Sequence, residues 1–350
     1  MISLCMIVKN EEKVLNLCLG SIKNFVDEII VVDTGSTDNT KYTALRYTDK
    51  VFDYDWCDDF SKARNFSIAR AENDWILVLD ADEIVKQFDR NSIFEFCSCV
   101  ENQSKVGRLK RINEYEDSYG KRRYIERISR LFNKNNFCYS GSIHEQVVYK
   151  NKGNYDTHNI GITIDHVGYS KEVLKRTNKI QRNIIMLKKE IIKNEKDPYI
   201  NYQLGKSYFL EKDYKNAILY FKKSILLVDN FNYEYVEDLV ESYGYSLLNL
   251  NKFNEAAIIK TYKRYYLNSP DYNFLLALVY MNNSKFQQAA ETFLHCTELE
   301  GGRIEGITSY LPLYNIGVIF ECLDLKKEAV KYYSMCGNYE LAQKRISELK

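Results

Sequence analysis

The chain has 350 residues, 45% hydrophobic and 28% charged, with fifteen glycines and only three prolines. That composition excludes a disordered or low-complexity polymer, and the length predicts more than one hydrophobic core. Forty-nine basic residues nearly cancel 48 acidic ones, leaving a net charge of +1, so no overall field favours a nucleic acid or an anionic membrane.

The nine cysteines are odd in number and irregularly spaced. Cys97 and Cys99 sit too close together for a zinc knuckle and have no matching second pair, so the expectation is reduced thiols. The apolar opening 2–8 runs at once into Lys9-Asn10-Glu11-Glu12, too short for a signal peptide or a membrane span. A cytoplasmic protein with no transmembrane segment is expected.

Apolar runs at 2–8, 28–32, 50–54 and 75–79 read as strands, and the segments near 11–24, 38–46 and 59–71 read as helices. Near-continuous apolar strands alternating with helices predict a mostly parallel, Rossmann-like α/β sheet covered on both faces. Ligands of such sheets bind beyond the carboxyl ends of the strands. The polar signatures fall there: Lys9-Asn10-Glu11, then Asp33-Thr34-Gly35-Ser36-Thr37-Asp38, then Asp80-Ala81-Asp82 after WILVL. Two carboxylates one residue apart at a buried strand end suit a hard divalent cation, Mg²⁺ or Mn²⁺, that neutralises a nucleoside diphosphate. No G-x-G-x-x-G follows the first strand, which disfavours a nicotinamide site.

Between Lys105 and Arg130 nine basic residues stand against four acidic ones, around a Ser118-Tyr119-Gly120 turn between two strand-like runs. A solvated hairpin and a pyrophosphate-facing hairpin are both compatible with it. In RISRLF, Arg127 and Arg130 fall on opposite faces of a strand, and Arg130 is the candidate phosphate contact.

From about residue 174 glycine becomes sparse and a repeat emerges. Small residues stand at Gly205, Gly244, Ala277 and Gly317, at intervals of 39, 33 and 40 residues, and twelve residues after each comes Ala217, Ala256, Ala289 or Ala329. Three residues after each small one is a large apolar residue, Tyr208, Leu247, Tyr280 or Phe320; sixteen after it come Phe221, Lys260, Phe293 and Tyr333, with Lys260 departing from the pattern. Paired helices need small side chains where they cross and large ones beside them, and the intervals bracket the 34-residue tetratricopeptide period. The expected domains are 1–172, a connecting helix 173–196, and an all-α repeat array 197–350.

Taken in order, ISLCMIVKNEE, EIIVVDTGSTDNT and DDFSKARNFSIARAENDWILVLDADE resemble family 2 glycosyltransferases of the GT-A fold, a likeness covering roughly residues 1–170. The resemblance implies Asp33 at the uracil or ribose, with Asp38 shaping its loop, and Val8, Asn10 and Glu11 along the nucleotide. It places Arg64 of Ala63-Arg64-Asn65 against the nucleotide, Asp80 with Ala81 near the ribose, and Asp82 on the metal. CYSGSIHEQVVY and IDHVGYS resemble segments of relatives that carry helical repeats, including bacteriocin peptide S-glycosyltransferases and lipopolysaccharide-core transferases. They place His144, Glu145 and His166 in the site, with Glu145 as base, His144 the alternative, and His166 as the ligand opposite Asp82.

One carboxylate to deprotonate an acceptor and a metal to hold the departing diphosphate imply an inverting displacement from a UDP-sugar, with N-acetylglucosamine or glucose expected. The repeats favour a protein or peptide acceptor and also suit a homo-oligomer. A glycolipid or core-oligosaccharide acceptor is the alternative. A catalytically silent scaffold is disfavoured by the joint presence of Asp33, Asp80, Asp82 and Glu145.

Overall fold

The computed structural model describes residues 1–117, 120–166 and 179–349. Ser118 and Tyr119 of the expected turn, residues 167–170 of IDHVGYS and the start of the expected connecting helix lie outside them. The chain divides into two units, Met1–Glu116 with Arg123–Thr177, and Asp117–Arg122 with Asn178–Lys350.

In the first unit β1 (Ile2–Val8) pairs in parallel with β2 (Glu28–Asp33) and β4 (Trp75–Val78), and β2 pairs in parallel with β3 (Val51–Asp53). The remaining strands are β5 (Glu83–Phe88), β6 (Lys105–Asp117), β7 (Gly120–Asn133), β8 (Phe137–Ser140), β9 (Gln146–Tyr149) and β10 (Asp156–His166). The main sheet runs β3-β2-β1-β4-β7-β6-β10-β5, and β8-β9 form a separate antiparallel pair. β7 is antiparallel to β4, while β10 is parallel to β6 and antiparallel to β5.

Alternate residues of the apolar strands supply two cores. Leu4, Met6 and Val8 join Leu15, Cys18, Leu19 and Ile22 of α1 (Leu15–Ile22) on one face. Cys5, Ile30, Val32, Ile76 and Val78 join Ile68 of α3 (Phe60–Ile68) and Phe137 of β8 on the other. Burial on both faces explains why these strands read as unbroken apolar runs. α2 (Thr40–Leu45) and α4 (Arg90–Ser98) complete the helices of this unit.

The helices are shorter than their apolar patterns predict, and polar side chains hold the turns that open two of them. Asp38 Oδ1 accepts from the Thr40 amide at 3.0 Å, and Asp59 Oδ1 from the Lys62 amide at 3.0 Å. Residues 11–14 form a turn before α1.

The second unit is helical: α5 (Lys179–Lys193), α6 (Pro198–Leu210), α7 (Tyr214–Leu227), α8 (Glu234–Asn249), α9 (Phe253–Ala256), α10 (Pro270–Asn282), α11 (Phe286–Glu298), α12 (Tyr310–Cys322), α13 (Lys326–Ser334) and α14 (Glu340–Leu349). α6 and α10 begin alike. Asp197 and Ser269 accept amide hydrogen bonds from the first turn, and Pro198 and Pro270 occupy the first helical position, where no backbone donor is needed.

The repeat spacing has a steric cause. A Cβ added at Gly205 would come within 2.6 Å of the Phe221 ring, and one at Gly317 within 2.5 Å of Tyr333. Each small residue therefore receives the aromatic sixteen positions later. At Gly244 that position is Lys260, and the space is filled by Leu275 and Ile259 instead. The change follows from α9, which is only four residues long and gives way to a tighter 3₁₀ turn at Ala257–Tyr262, rotating Ile259 inward.

A buried polar cluster joins α6, α8, α10 and the turn before α12. Asp238 accepts from Tyr202 Oη and Lys206 Nζ at 2.6 Å each, and Arg303 pairs with Glu241 and reaches Glu237, Asp238 and Asp271. Burial pushes the Asp238 carboxyl up, but Lys206 and Arg303 outweigh it and hold the group below its ordinary value. Burial pushes Glu241 well above its own, with Asp271, Asp238 and Glu237 acting in the same direction against Arg303.

The two signs predict opposite behaviour. Ionised Asp238 stabilises the fold above its unfolded-state pKa, and that contribution is lost as pH falls through the lower folded value. Ionised Glu241 opposes folding at neutral pH, and the opposition vanishes below the ordinary glutamate range. Asp238→Asn should therefore lower stability at neutral pH by on the order of 2–3 kcal/mol, whereas Glu241→Gln should be neutral or stabilising. Urea unfolding of the full chain checks this, and equal losses in the two variants would contradict it.

Candidate functional site

Loops beyond the carboxyl ends of β1, β2 and β4 meet at one edge of the first unit. The β1 and β2 loops are tied together: the Asn10 amide donates to Ser36 Oγ at 2.9 Å, the Thr37 amide to Asn10 Oδ1 at 2.8 Å, and the Glu11 amide to Thr40 Oγ1 at 2.7 Å. Val8 is buried, and its carbonyl accepts from both the amide and hydroxyl of Thr34. Gly35 adopts a φ of +99°, a conformation open to glycine, so the chain can curl back over Asp33. Asp33 Oδ1 then accepts from the Gly35 and Ser36 amides at 2.8 and 2.7 Å. Its other oxygen, Oδ2, is buried with no hydrogen-bond partner among the described residues. A buried polar oxygen left unpaired is costly, and it marks a place where a ligand donor would be bound.

At the end of β4, Asp80 lies between two buried arginines. Arg64 Nη2 donates to Asp80 Oδ1 at 2.8 Å and Arg130 Nη2 to Asp80 Oδ2 at 2.6 Å. Burial pushes the Asp80 carboxyl up, yet Arg130 and Arg64 together hold it well below the usual carboxylate range. Arg64 Nε also donates to Glu145 Oε1 at 2.5 Å, and its Nη1 is buried without a partner among the described residues. Arg64 lies 5.3 Å from the centre of the Tyr139 ring, and the Tyr139 hydroxyl is likewise buried and unpartnered among the described residues.

The loop carrying His144 and Glu145 links β8 to β9. It turns through Gly141 at φ +102° and His144 at φ +51°, and α3 holds it at two points: the Phe60 amide donates to the Ser142 carbonyl at 2.9 Å, and Arg64 grips Glu145. No hydrogen bond engages Glu145 Oε2 among the described residues. In the same region Ala81 and Asp82 are buried, and Asp82 Oδ2 lies 3.4 Å from His166 Nε2 at the end of β10.

The structure thus brings together two groups of the expected residues, Arg64, Asp80, Arg130 and Glu145 in one, Asp82 and His166 in the other. Arg64 and Arg130, expected at the nucleotide or its phosphates, direct these donors at carboxylates. Arg130 Nη2 reaches Glu83 Oε1 at 3.0 Å as well as Asp80.

Glu83 was not foreseen. It is fully buried, receives Arg130 and Arg111, and accepts from the Asp80 amide at 2.9 Å, so it anchors the Asp80-Ala81-Asp82 turn from beneath. The signal was present in its position directly after Asp82, but an acidic residue beside an acidic pair reads as more of the same exposed turn. Asn113, Glu126 and Tyr139 carried no local signal.

Among the described residues no three Asp, Glu, His or Cys side chains converge into a cation cage. Asp82 and His166 supply one oxygen and one nitrogen donor, both nearly buried, a set that fits a divalent cation completing its shell with diphosphate oxygens and water.

Residues 3–176 match the family described as glycosyl transferase family 2, and residues 198–227 and 270–302 match tetratricopeptide repeats. The N-terminal unit belongs to glycosyltransferase family 2, and in this chain it is followed by tetratricopeptide repeats.

Among curated relatives, the chain is 32% identical over 241 residues to a TPR repeat-containing protein of Synechococcus elongatus, covering 64% of this chain and 56% of that one. It is 30% identical to the SPbeta prophage-derived glycosyltransferase SunS of Bacillus subtilis, covering 65% and 53%. An uncharacterized glycosyltransferase of Rickettsia typhi is 31% identical over 155 residues, covering 42% and 53%. The chain therefore spans just over half the length of these relatives. Among solved structures, the TPR protein YrrB aligns with 51% of this chain and 86% of its own, at 18% identity and a TM-score of 0.41. No helix among the described residues is long and apolar enough to cross a membrane.

Proposed function

We propose that the chain is an inverting glycosyltransferase that moves a hexose or N-acetylhexosamine from a UDP-sugar to a protein or peptide side chain in the cytoplasm. The observation that carries this reading is Asp33 Oδ2, buried and unpartnered among the described residues at the end of β2, which shares the neighbour β1 with the strand that leads into Asp80-Ala81-Asp82. It offers one acceptor to a uracil N–H or a ribose hydroxyl at the edge where a parallel sheet binds nucleotides.

Asp80, fixed between Arg64 and Arg130, would accept from a ribose hydroxyl without moving. Asp82 and His166 would hold Mg²⁺ or Mn²⁺, which when bound supplies charge neutralisation for the departing diphosphate. Glu145 keeps one oxygen on Arg64 and would take the acceptor's proton with the other. Holding the base in one orientation reduces the entropy lost on reaching the reactive geometry. Asn10 and Glu11 would shape the nucleotide cleft through the tied loops rather than by charge.

The polypeptide acceptor rests on the tetratricopeptide repeats, while the resemblance of CYSGSIHEQVVY extends to both peptide and lipopolysaccharide-core transferases that carry helical repeats. The array also offers a surface for self-association. The test is mass spectrometry of candidate peptides and glycolipids after incubation with a panel of UDP-sugars and Mn²⁺. A hexose-sized mass gain on a peptide is expected. Transfer to glycolipid alone would reassign the acceptor, and transfer from a donor with a different nucleotide alone would overturn the uridine reading.

A further inference from the structure

His166 is backed by a line of side chains leading away from Asp82. β10 runs between β5 and β6 with His166 in register with Glu83 on one side and Asn113 on the other. His166 Nδ1 lies 2.7 Å from Asn113 Oδ1. The Asn113 Nδ2 donates to Glu126 Oε1 at 2.6 Å. The same Glu126 oxygen accepts from Arg111 Nε at 3.0 Å, and Arg111 Nη1 reaches Glu83 Oε1 at 3.2 Å. Asn113 is buried, so its amide has little access to water.

The chemistry of these groups fixes the direction of each bond. A guanidinium only donates and a carboxylate only accepts, so Glu126 takes hydrogen bonds from Arg111 and from the Asn113 amide nitrogen. That commitment turns the Asn113 carbonyl oxygen toward His166, and an oxygen acceptor there requires the proton on Nδ1. In the neutral ring the second nitrogen, Nε2, then carries the lone pair, 3.4 Å from Asp82 Oδ2.

We propose that Asn113, oriented by Glu126 and Arg111, is a positioning residue that holds His166 in the Nδ1–H tautomer and keeps Nε2 available as a nitrogen donor to the divalent cation. The inference rests on the reading of Asp82 and His166 as cation ligands. Partners behind metal-binding histidines act in this way in general, fixing the ring and the proton, and their loss weakens metal affinity by about 10- to 100-fold. Without the Asn113 oxygen, the proton should move to Nε2, which lies 3.4 Å from Asp82 Oδ2, and occupy the position the cation needs.

The test uses the full chain labelled with nitrogen-15 and freed of metal, at about pH 8, above the ordinary histidine range. Its four histidines allow His166 to be assigned by comparison with His166→Asn. The wild-type spectrum should show the neutral Nδ1–H form. Asn113→Leu should shift His166 to Nε2–H and weaken Mn²⁺ binding in the presence of UDP by about 10- to 100-fold, read by calorimetry.

A wild-type His166 that is Nε2–H or doubly protonated overturns the inference whatever the variants do. Unchanged Mn²⁺ affinity in folded Asn113→Leu overturns it too. A wild-type chain that shows Nδ1–H yet takes up no Mn²⁺ with UDP instead removes the cation reading beneath it.

Discussion

Glu145→Gln should leave UDP affinity close to wild type while lowering turnover by about 10²- to 10⁴-fold, the usual contribution of a general base. The variant separates the two roles because Arg64 keeps its environment. A glutamine oxygen still accepts from Arg64 Nε, and Asp80 still compensates the guanidinium charge. The check is UDP calorimetry beside single-turnover kinetics. Loss of affinity would mean that Glu145 serves chiefly to hold Arg64. Near-full activity would move the base to His144, which lies one residue earlier on the same turn.

Asp82→Asn should fail differently, losing UDP affinity only where the divalent cation contributes to it. The cation-dependent part of binding should fall by at least about 10- to 100-fold, since even the groups behind a metal ligand are worth that much. His166→Ala should act in parallel, and the double variant should be scarcely worse than either single one, because both remove the same cation. Binding measured in chelator should be indifferent to both substitutions. If Asp82→Asn weakens UDP equally with and without chelator, Asp82 contacts the nucleotide directly or supports the turn alone.

Much of the fold was legible because its signals are local. β1, β2 and β4 announce themselves as apolar runs buried on both faces, and the residues expected at the crevice follow strand ends directly. The small residues at Gly205 and Gly317 were visible because their aromatic partners lie at a fixed distance along the chain.

What escaped the sequence depends on pairing between distant segments. Glu145 meets Arg64 across 81 residues and Arg130 meets Asp80 across 50, and no local pattern specifies either contact. The β10 register that sets His166 between Glu83 and Asn113 likewise arises only when three strands assemble. Glu83 was hidden for a different reason. Nothing in DADE distinguishes a solvated glutamate from one buried beneath two arginines.

A uridine nucleotide held partly by a cation at the Asp82 and His166 edge of the sheet is the central claim. Calorimetric titration of the full chain with UDP, in Mn²⁺ and then in EDTA, tests that claim most directly. Saturable binding in Mn²⁺ that weakens markedly in EDTA is the predicted result. Equal affinity in the two buffers, or tighter binding of another nucleoside diphosphate than of UDP, would contradict it.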